Sequence, residues 1–262
     1  VCGETETAIV VCDRPNPING VQVEGNLVDE LQRSFVGKFP IPNRHGMTTG
    51  ELARLFWNHF DVECDLNVVP MEGWNREMWQ DQTEFPWIAP SPNMPTLDTA
   101  TVYPGMCLLE GTHLSEGRGT TQPFEFCGAP YIDPHVLARN LNDKDLPGVY
   151  FRPHYFKPSF QKWAGQLCGG VQTHVIDGST FKPVLTGVAV ILAVAREYPG
   201  QFQWRSEPYE FVSDRPAIDL LYGNSQLRKK FVKGSQSLEE IEGTWRNGLE
   251  SFLDVRREYL FY

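Results

Sequence analysis

The sequence contains no apolar run long enough to cross a membrane. The longest, Val184 to Ala195, is interrupted by Thr186 and Gly187 and stays well short of the roughly 20 residues a spanning helix needs. Membrane insertion is therefore not expected, and the run reads as a buried helix. Basic residues are also in deficit: 23 lysines and arginines stand against 33 aspartates and glutamates, a formal charge of −10. A field of that sign repels polyanions, so nucleic acid is not an expected partner. The densest basic run, Arg228-Lys229-Lys230, lies between Leu227 and Phe231 and reads as the wet face of a short helix. The six cysteines include no CxxC pair and no Cys/His spacing that closes a zinc site, so neither a metal nor a cofactor is expected. Their even count permits disulfides in an exported protein, but scattered through a chain of this length they read more readily as small buried hydrophobes. A glycine-rich phosphate loop and a G-x-S-x-G elbow are missing too. The chain opens at Val1 without a methionine or the regions of a signal peptide, which suggests a processed or truncated start.

What is present is an alternation of strand and helix patterns, the mark of an α/β protein. Residues 8–12 (AIVVC) read as a buried strand halted by the rigid loop DRPNP. A buried parallel strand needs neighbours on both sides, and only seven residues precede it. Either later strands supply all the pairing or an N-terminal βα layer is missing, and the missing layer is expected here. TGELARLFWNHF places Leu52, Leu55, Phe56 and Phe60 on one helical stripe. LNVVPM reads as a second strand, and residues 72–105 as an ordered loop region rich in tryptophan and proline. MCLL (106–109) has strand character. A helix is expected over Pro134–Asn142, strands near Val149–Arg152 and Val171–Ile176, and a helix from Pro183 to Tyr198. A last helix opens on the capping box of Ser237 and Glu240 and continues to near the C-terminus.

Three constellations could carry chemistry. DRPNPINGVQVEG holds Asp13, Arg14, Asn16 and Glu24 on a stiff loop at a strand end, where ligands of open α/β sheets gather. An ordinary turn with Asp13 capping backbone amides fits equally well. IPNRHGMTT places Arg44 and His45 just before a helix, a position that suits either a structural histidine or an anion site. LLEGTHLSEGRGTTQPFE packs Glu110, Glu116, Arg118 and Glu125 among glycines and small hydroxyl residues. Its carboxylates could face one cleft, or they could be charge pairs on a hydrated loop. Glycoside hydrolysis makes use of such carboxylates, because one must protonate the leaving oxygen while another charge or nucleophile stabilises an oxocarbenium-like transition state. Inverting, retaining and substrate-assisted routes all stay open.

The strings DRPNPINGVQVEG, SFVGKFPIPNRHGMTTGELARLF, GWNREMW, PSPNMPT, EGTHLSEGRGTTQPFE, GAPY and FLDVRREYLFY occur in this order from about Ala8 to Tyr262. Together they resemble the NamZ-like exo-β-N-acetylmuramidases, a family long catalogued as a domain of unknown function. The resemblance implies a bacterial, secreted or periplasmic glycosidase that releases terminal N-acetylmuramic acid from the non-reducing end of peptidoglycan fragments. It also implies an α/β fold in which residues 1–45 are the remnant of a Rossmann-like N-terminal domain, the missing part of which is expected to pack against this chain, and residues 46–262 form a mixed α/β C-terminal domain. Carried over residue by residue, it marks Glu110, Glu24 and Glu116 as catalytic candidates. It marks Arg14, Asn16, His45, Arg118, Trp74 and Asn93 as substrate-binding ones, with His45 and Arg118 on the lactyl carboxylate and Trp74 and Trp87 against sugar faces. The alternatives are a non-catalytic cell-wall glycan-binding protein and an exo-glycosidase for another N-acetylated sugar.

Overall fold

The computed structural model describes residues 2–262. Its elements, in chain order, are β1 (Ile9–Cys12), α1 (Thr49–Asn58), β2 (Leu66–Val69), α2 (Leu97–Met106), β3 (Phe126–Ala129), α3 (Pro134–Asn142), β4 (Val149–Phe156), β5 (Cys168–Val175), α4 (Pro183–Glu197), α5 (Ala217–Tyr222), α6 (Leu238–Gly243) and α7 (Arg246–Arg257). The architecture is mixed α/β. Strands β1 and β2 pair in parallel, and β3-β5-β4 form an antiparallel sheet with β5 in the middle.

The parallel pair needs a crossover, and α1 supplies it. Thr48 caps that helix reciprocally with Glu51: the Thr48 hydroxyl accepts from the Glu51 amide, and the Glu51 carboxylate accepts from the Thr48 amide. Leu55 points into a small core with Met47, Phe252 and Tyr259, so the C-terminal helix α7 covers this βαβ unit. Residue 45 lies inside the β1–α1 connection. Strand β1 alternates between half-buried and exposed, with Val10 60% exposed. The buried strand expected at residues 8–12 is corrected accordingly to one with an open face.

The main core is built round α4, of which every residue from Pro183 to Ala195 is buried. The apolar run is buried because α2, α3 and α6 pack on it. Its first turn is capped from far away in sequence: the Glu24 carboxylate accepts the amides of Leu185 at 2.7 Å and Val184 at 3.1 Å. Those amides have no partner inside the helix, and the helix dipole favours a carboxylate there.

Four further expectations are corrected. The region 72–105 is not loop throughout, because α2 occupies its end despite Pro104. MCLL is the last turn of α2 followed by a 3-10 helix, Cys107–Gly111, rather than a strand. A short apolar run without alternation cannot be told from buried helix by pattern alone. The last helix is two, α6 and α7, with its predicted capping box intact at Ser237 and Glu240. The basic run is a π-helical turn, Leu227–Phe231, and it is not wholly wet: Arg228 forms a two-bond pair with buried Asp219. Of the cysteines, only Cys107, Cys127 and Cys168 are buried.

Candidate active site

The acidic run folds as a 3-10 helix and a loop that returns to β3. Ser115 bridges to Gly128, and Gly117 turns the chain at a φ of +76°, where a Cβ would sit 2.7 Å from the Phe126 carbonyl. Glu110 and Glu116 are both buried, and both reach the Arg118 guanidinium. Glu110 Oε1 accepts from Arg118 Nη2 at 2.9 Å and Glu110 Oε2 from the Tyr209 hydroxyl at 2.9 Å. Glu116 Oε2 accepts from Lys162 Nζ at 2.8 Å, and its Oε1 lies 3.7 Å from Arg118 Nε.

Lys162 is spent on structure. Its ammonium also donates to the carbonyls of Leu109 and Leu114, each at 3.0 Å, so all three protons are used. Burial lowers its pKa while Glu116 raises it. Arg118 differs, since Nη1 makes no hydrogen bond among the described residues and the side chain is 25% exposed. A guanidinium with a free donor and a solvent path can take a carboxylate. Its other face lies over the Phe124 ring.

Burial pushes the Glu110 carboxyl up from its ordinary value, Arg118 pulls it down, Glu116 raises it, and the Tyr209 hydrogen bond lowers it. Burial also pushes the neighbouring Cys107 thiol up to about 12, so it stays protonated and is no nucleophile at neutral pH. Tyr103, edge-on to the Phe124 ring, is raised by burial and by Cys107, Glu110 and Glu210. Glu125, the last carboxylate of the run, turns elsewhere: it accepts from Thr99 at 2.8 Å and Gln122 at 3.2 Å, tying the start of α2 to the loop.

The structure brings together Glu110, Glu116 and Arg118 and leaves the other predicted site residues apart. Glu24 caps α4 and shares no hydrogen bond or ion pair with that cluster. Burial outweighs the two amides and Arg44, and pushes its carboxyl up to about 7. Asn16 braces its loop, donating to the Met47 carbonyl and accepting the Ile18 amide. Arg14 is exposed, with no side-chain partner among the described residues. Asn93 is a half-buried loop residue whose amide donates to Ser91. Trp74 is buried edge-on to Tyr262, so its expected place against a sugar is corrected to a core contact.

His45 is held neutral, because burial and Arg256 lower its imidazole to about 4. Its Nδ1 accepts the Met47 amide at 3.0 Å, which leaves the proton on Nε2. A contact of His45 with a carboxylate thus runs through a neutral Nε2–H rather than an imidazolium. Asp13 follows the capping alternative, accepting the Gly50 amide at 2.7 Å along with the hydroxyls of Thr48 and Tyr262. A concavity of about 580 Å³ between α3, α4 and α6, lined by Lys144, Leu185, Leu192 and Glu242, includes none of the acidic-loop residues.

Tyr209 and Lys162 escaped sequence analysis. They lie 99 and 46 positions from the carboxylates they contact, within segments that carry no catalytic pattern.

Two family models match the chain: "Exo-beta-N-acetylmuramidase NamZ, N-terminal" over residues 1–98, and its C-terminal counterpart over residues 101–262. The peptidoglycan β-N-acetylmuramidase NamZ of Bacillus subtilis (strain 168) is 45% identical over 259 residues, which are 99% of this chain and 60% of that protein. The chain thus spans about three-fifths of the length of the curated relative it matches. Crystal structures of two DUF1343 family proteins from Bacteroides fragilis NCTC 9343 superpose over the whole chain and 68% of their own length. Their TM-scores are 0.89 and 0.75, at 32% and 30% identity. With both models in sequence order and the acidic loop inside the second, the chain belongs to the NamZ exo-β-N-acetylmuramidase family.

Proposed function

We propose that this chain carries the proton donor and the anion-binding arginine of an exo-β-N-acetylmuramidase, which releases terminal N-acetylmuramic acid from the non-reducing end of peptidoglycan fragments. The observation that carries this reading is the buried Glu110 carboxyl, held by the Tyr209 hydroxyl on one oxygen and by an arginine with a free Nη1 on the other. Burial keeps a proton on Glu110 to higher pH than a free carboxyl would hold it. That proton passes to the glycosidic oxygen as the bond to the anomeric carbon breaks.

Glu116 is a positioning residue. Its charge, anchored by Lys162, holds Arg118 from the Nε side, which leaves Nη1 for the lactyl carboxylate that distinguishes muramic acid from glucosamine. Glu24, for all its raised pKa, acts as the remote cap of α4. We further infer that β1, α1 and β2 belong to a Rossmann-like layer, that the division of the chain falls near residues 98–101 rather than at 45, and that the protein acts in the cell-wall compartment.

Glu110→Gln in the full-length protein is expected to lower release of terminal N-acetylmuramic acid by about 10²–10⁴-fold, the usual contribution of a general acid. Wild-type turnover would remove Glu110 from the mechanism. Arg118→Ala is expected to abolish preference for muramic acid over glucosamine termini, and equal wild-type rates on the two substrates would overturn the role of Arg118.

A further inference from the structure

The loop that delivers Tyr209 to Glu110 does something unusual two residues later. Tyr209 and Val212 pair across a two-residue turn, each amide donating to the other residue's carbonyl at 2.9 Å. The turn residues, Glu210 and Phe211, have φ values of +43° and +70°. Positive φ at both central positions marks a type I′ turn, whose usual occupants are Asn and Gly. A glutamate and a phenylalanine are strained there, and among the described residues no burial rewards the phenylalanine, since Phe211 is 93% exposed.

A second tight turn meets the first. Ser34 and Gly37 pair in the same two-residue fashion, with Phe35 and Val36 at the tip. Phe35 is 76% exposed, its ring edge-on to Phe211 at 5.9 Å between centroids, and Leu31, four residues earlier, is 81% exposed. Arg215 fastens the two loops by donating to the carbonyls of Leu31 and Arg33 at 2.7 and 3.2 Å. Turn tips are ordinarily polar or glycine. Here two such tips, apolar and cross-braced, form a small platform continuous with the candidate acid through Tyr209.

We propose that Phe211 and Phe35 form a stacking platform for the pyranose rings of the leaving saccharide, so that they set preference for longer glycan chains without touching the reacting atoms. This rests on the muramidase reading. The occupant is a sugar rather than an anionic lipid surface for two reasons. The C–H face of a pyranose is a neutral apolar patch that an exposed aromatic ring can cover, and the chain's charge of −10 opposes anionic bilayers. Attachment to Tyr209 also places the platform on the loop whose tyrosine donates to the candidate acid.

Phe211→Gly tests this without threatening the fold, because glycine suits a φ of +70°. In the full-length protein the variant should be at least as heat-stable as wild type. It should keep kcat on the disaccharide of N-acetylmuramic acid and N-acetylglucosamine, while KM for the corresponding tetrasaccharide rises about tenfold, the equivalent of ~1.4 kcal/mol. Phe211→Trp should keep the wild-type KM, and Phe35→Ala should reproduce the glycine variant in weaker form. Unchanged tetrasaccharide KM in Phe211→Gly would overturn the platform, as would a loss of kcat on the disaccharide. Loss of binding to phosphatidylglycerol vesicles, or of a dimer in sedimentation, with tetrasaccharide KM unchanged would reassign the patch to those partners. Should the wild-type protein turn over neither saccharide, the muramidase reading fails. Calorimetric titration with the tetrasaccharide then still judges the platform by whether Phe211→Gly weakens binding.

Discussion

At the scale of single residues, the candidate site depends on how one carboxyl is poised between opposing influences. Glu110 is raised by burial and lowered by Arg118 and Tyr209. Removing the Tyr209 hydroxyl takes away a hydrogen bond that favours the ionised form. Tyr209→Phe is therefore expected to move the alkaline limb of the kcat/KM profile to higher pH, because the protonated acid then survives further up the scale. The check is a pH–rate profile of the full-length variant, and a limb shifted downward would contradict the role of Tyr209. Sequence showed Glu110, Glu116 and Arg118 together because they lie within eight positions of one another in one short segment. It could not show that Glu24 accepts the first amides of α4 or that His45 accepts the Met47 amide, since a carboxylate capping an amide and one serving a substrate are the same letter. Only the partners decide. The same holds for Trp74, which on composition suits a sugar platform and in the fold is buried against Tyr262, while the exposed aromatics are Phe35 and Phe211.

At the scale of elements, the crossing of α2 and α4 holds the 3-10 helix of Glu110 in place. Gly187 sits so close to α2 that a Cβ would lie 2.2 Å from the Gly105 carbonyl, and a Cβ on Gly105 would lie 1.7 Å from that of Pro183. The helices approach backbone to backbone because neither carries a side chain at the contact. Gly187→Ala must push them apart and should destabilise the protein by roughly 1–3 kcal/mol, the usual range for overpacking. It should also lower activity by displacing Glu110. Urea denaturation and turnover measure the two effects, and an unaltered midpoint would show that the crossing tolerates the extra carbon. Helix α2 itself was illegible in sequence. Pro104 breaks the pattern, and Thr96, Thr99 and Thr101 are poor helix formers, so its existence depends on the cap at Thr96 and on the burial of Val102 and Met106. Helices α1 and α3 were legible because both carry caps and amphipathic stripes of their own.

At the scale of the whole molecule, segments distant in sequence meet in one buried polar junction. Glu51 accepts from Arg76, the Thr48 amide and the Phe261 amide, while Arg256 donates to the carbonyls of Gly20 and Gly46. Two groups bordering it give stability opposite dependences on pH. Glu24 is raised from 4.5 to about 7, so the stability it contributes is fully present below pH 4.5 and is lost as pH rises toward 7. His45 is lowered from 6.5 to about 4, so its contribution is present above pH 6.5 and is lost as pH falls toward 4. The two nearly offset each other between these limits. His45→Asn should become less stable relative to wild type as pH rises from about 4 to 6.5, and Glu24→Gln more stable relative to wild type from about 4.5 to 7. Denaturant melts across that range read both slopes, and variant curves parallel to wild type would refute them.

By itself the sequence determined the α/β class, the buried apolar helix, the family and the loop that carries the carboxylates. Each of these rests on order and periodicity along the chain. Tertiary structure alone decided which partners each carboxylate meets, that Tyr209 and Lys162 complete the acidic loop, and that the strings DRPNP, RHGMTTGE and RREYLFY meet in one junction. The physical reason is that a polar side chain's role is set by what desolvates it and what it bonds, and for Glu24 those partners lie 160 residues away.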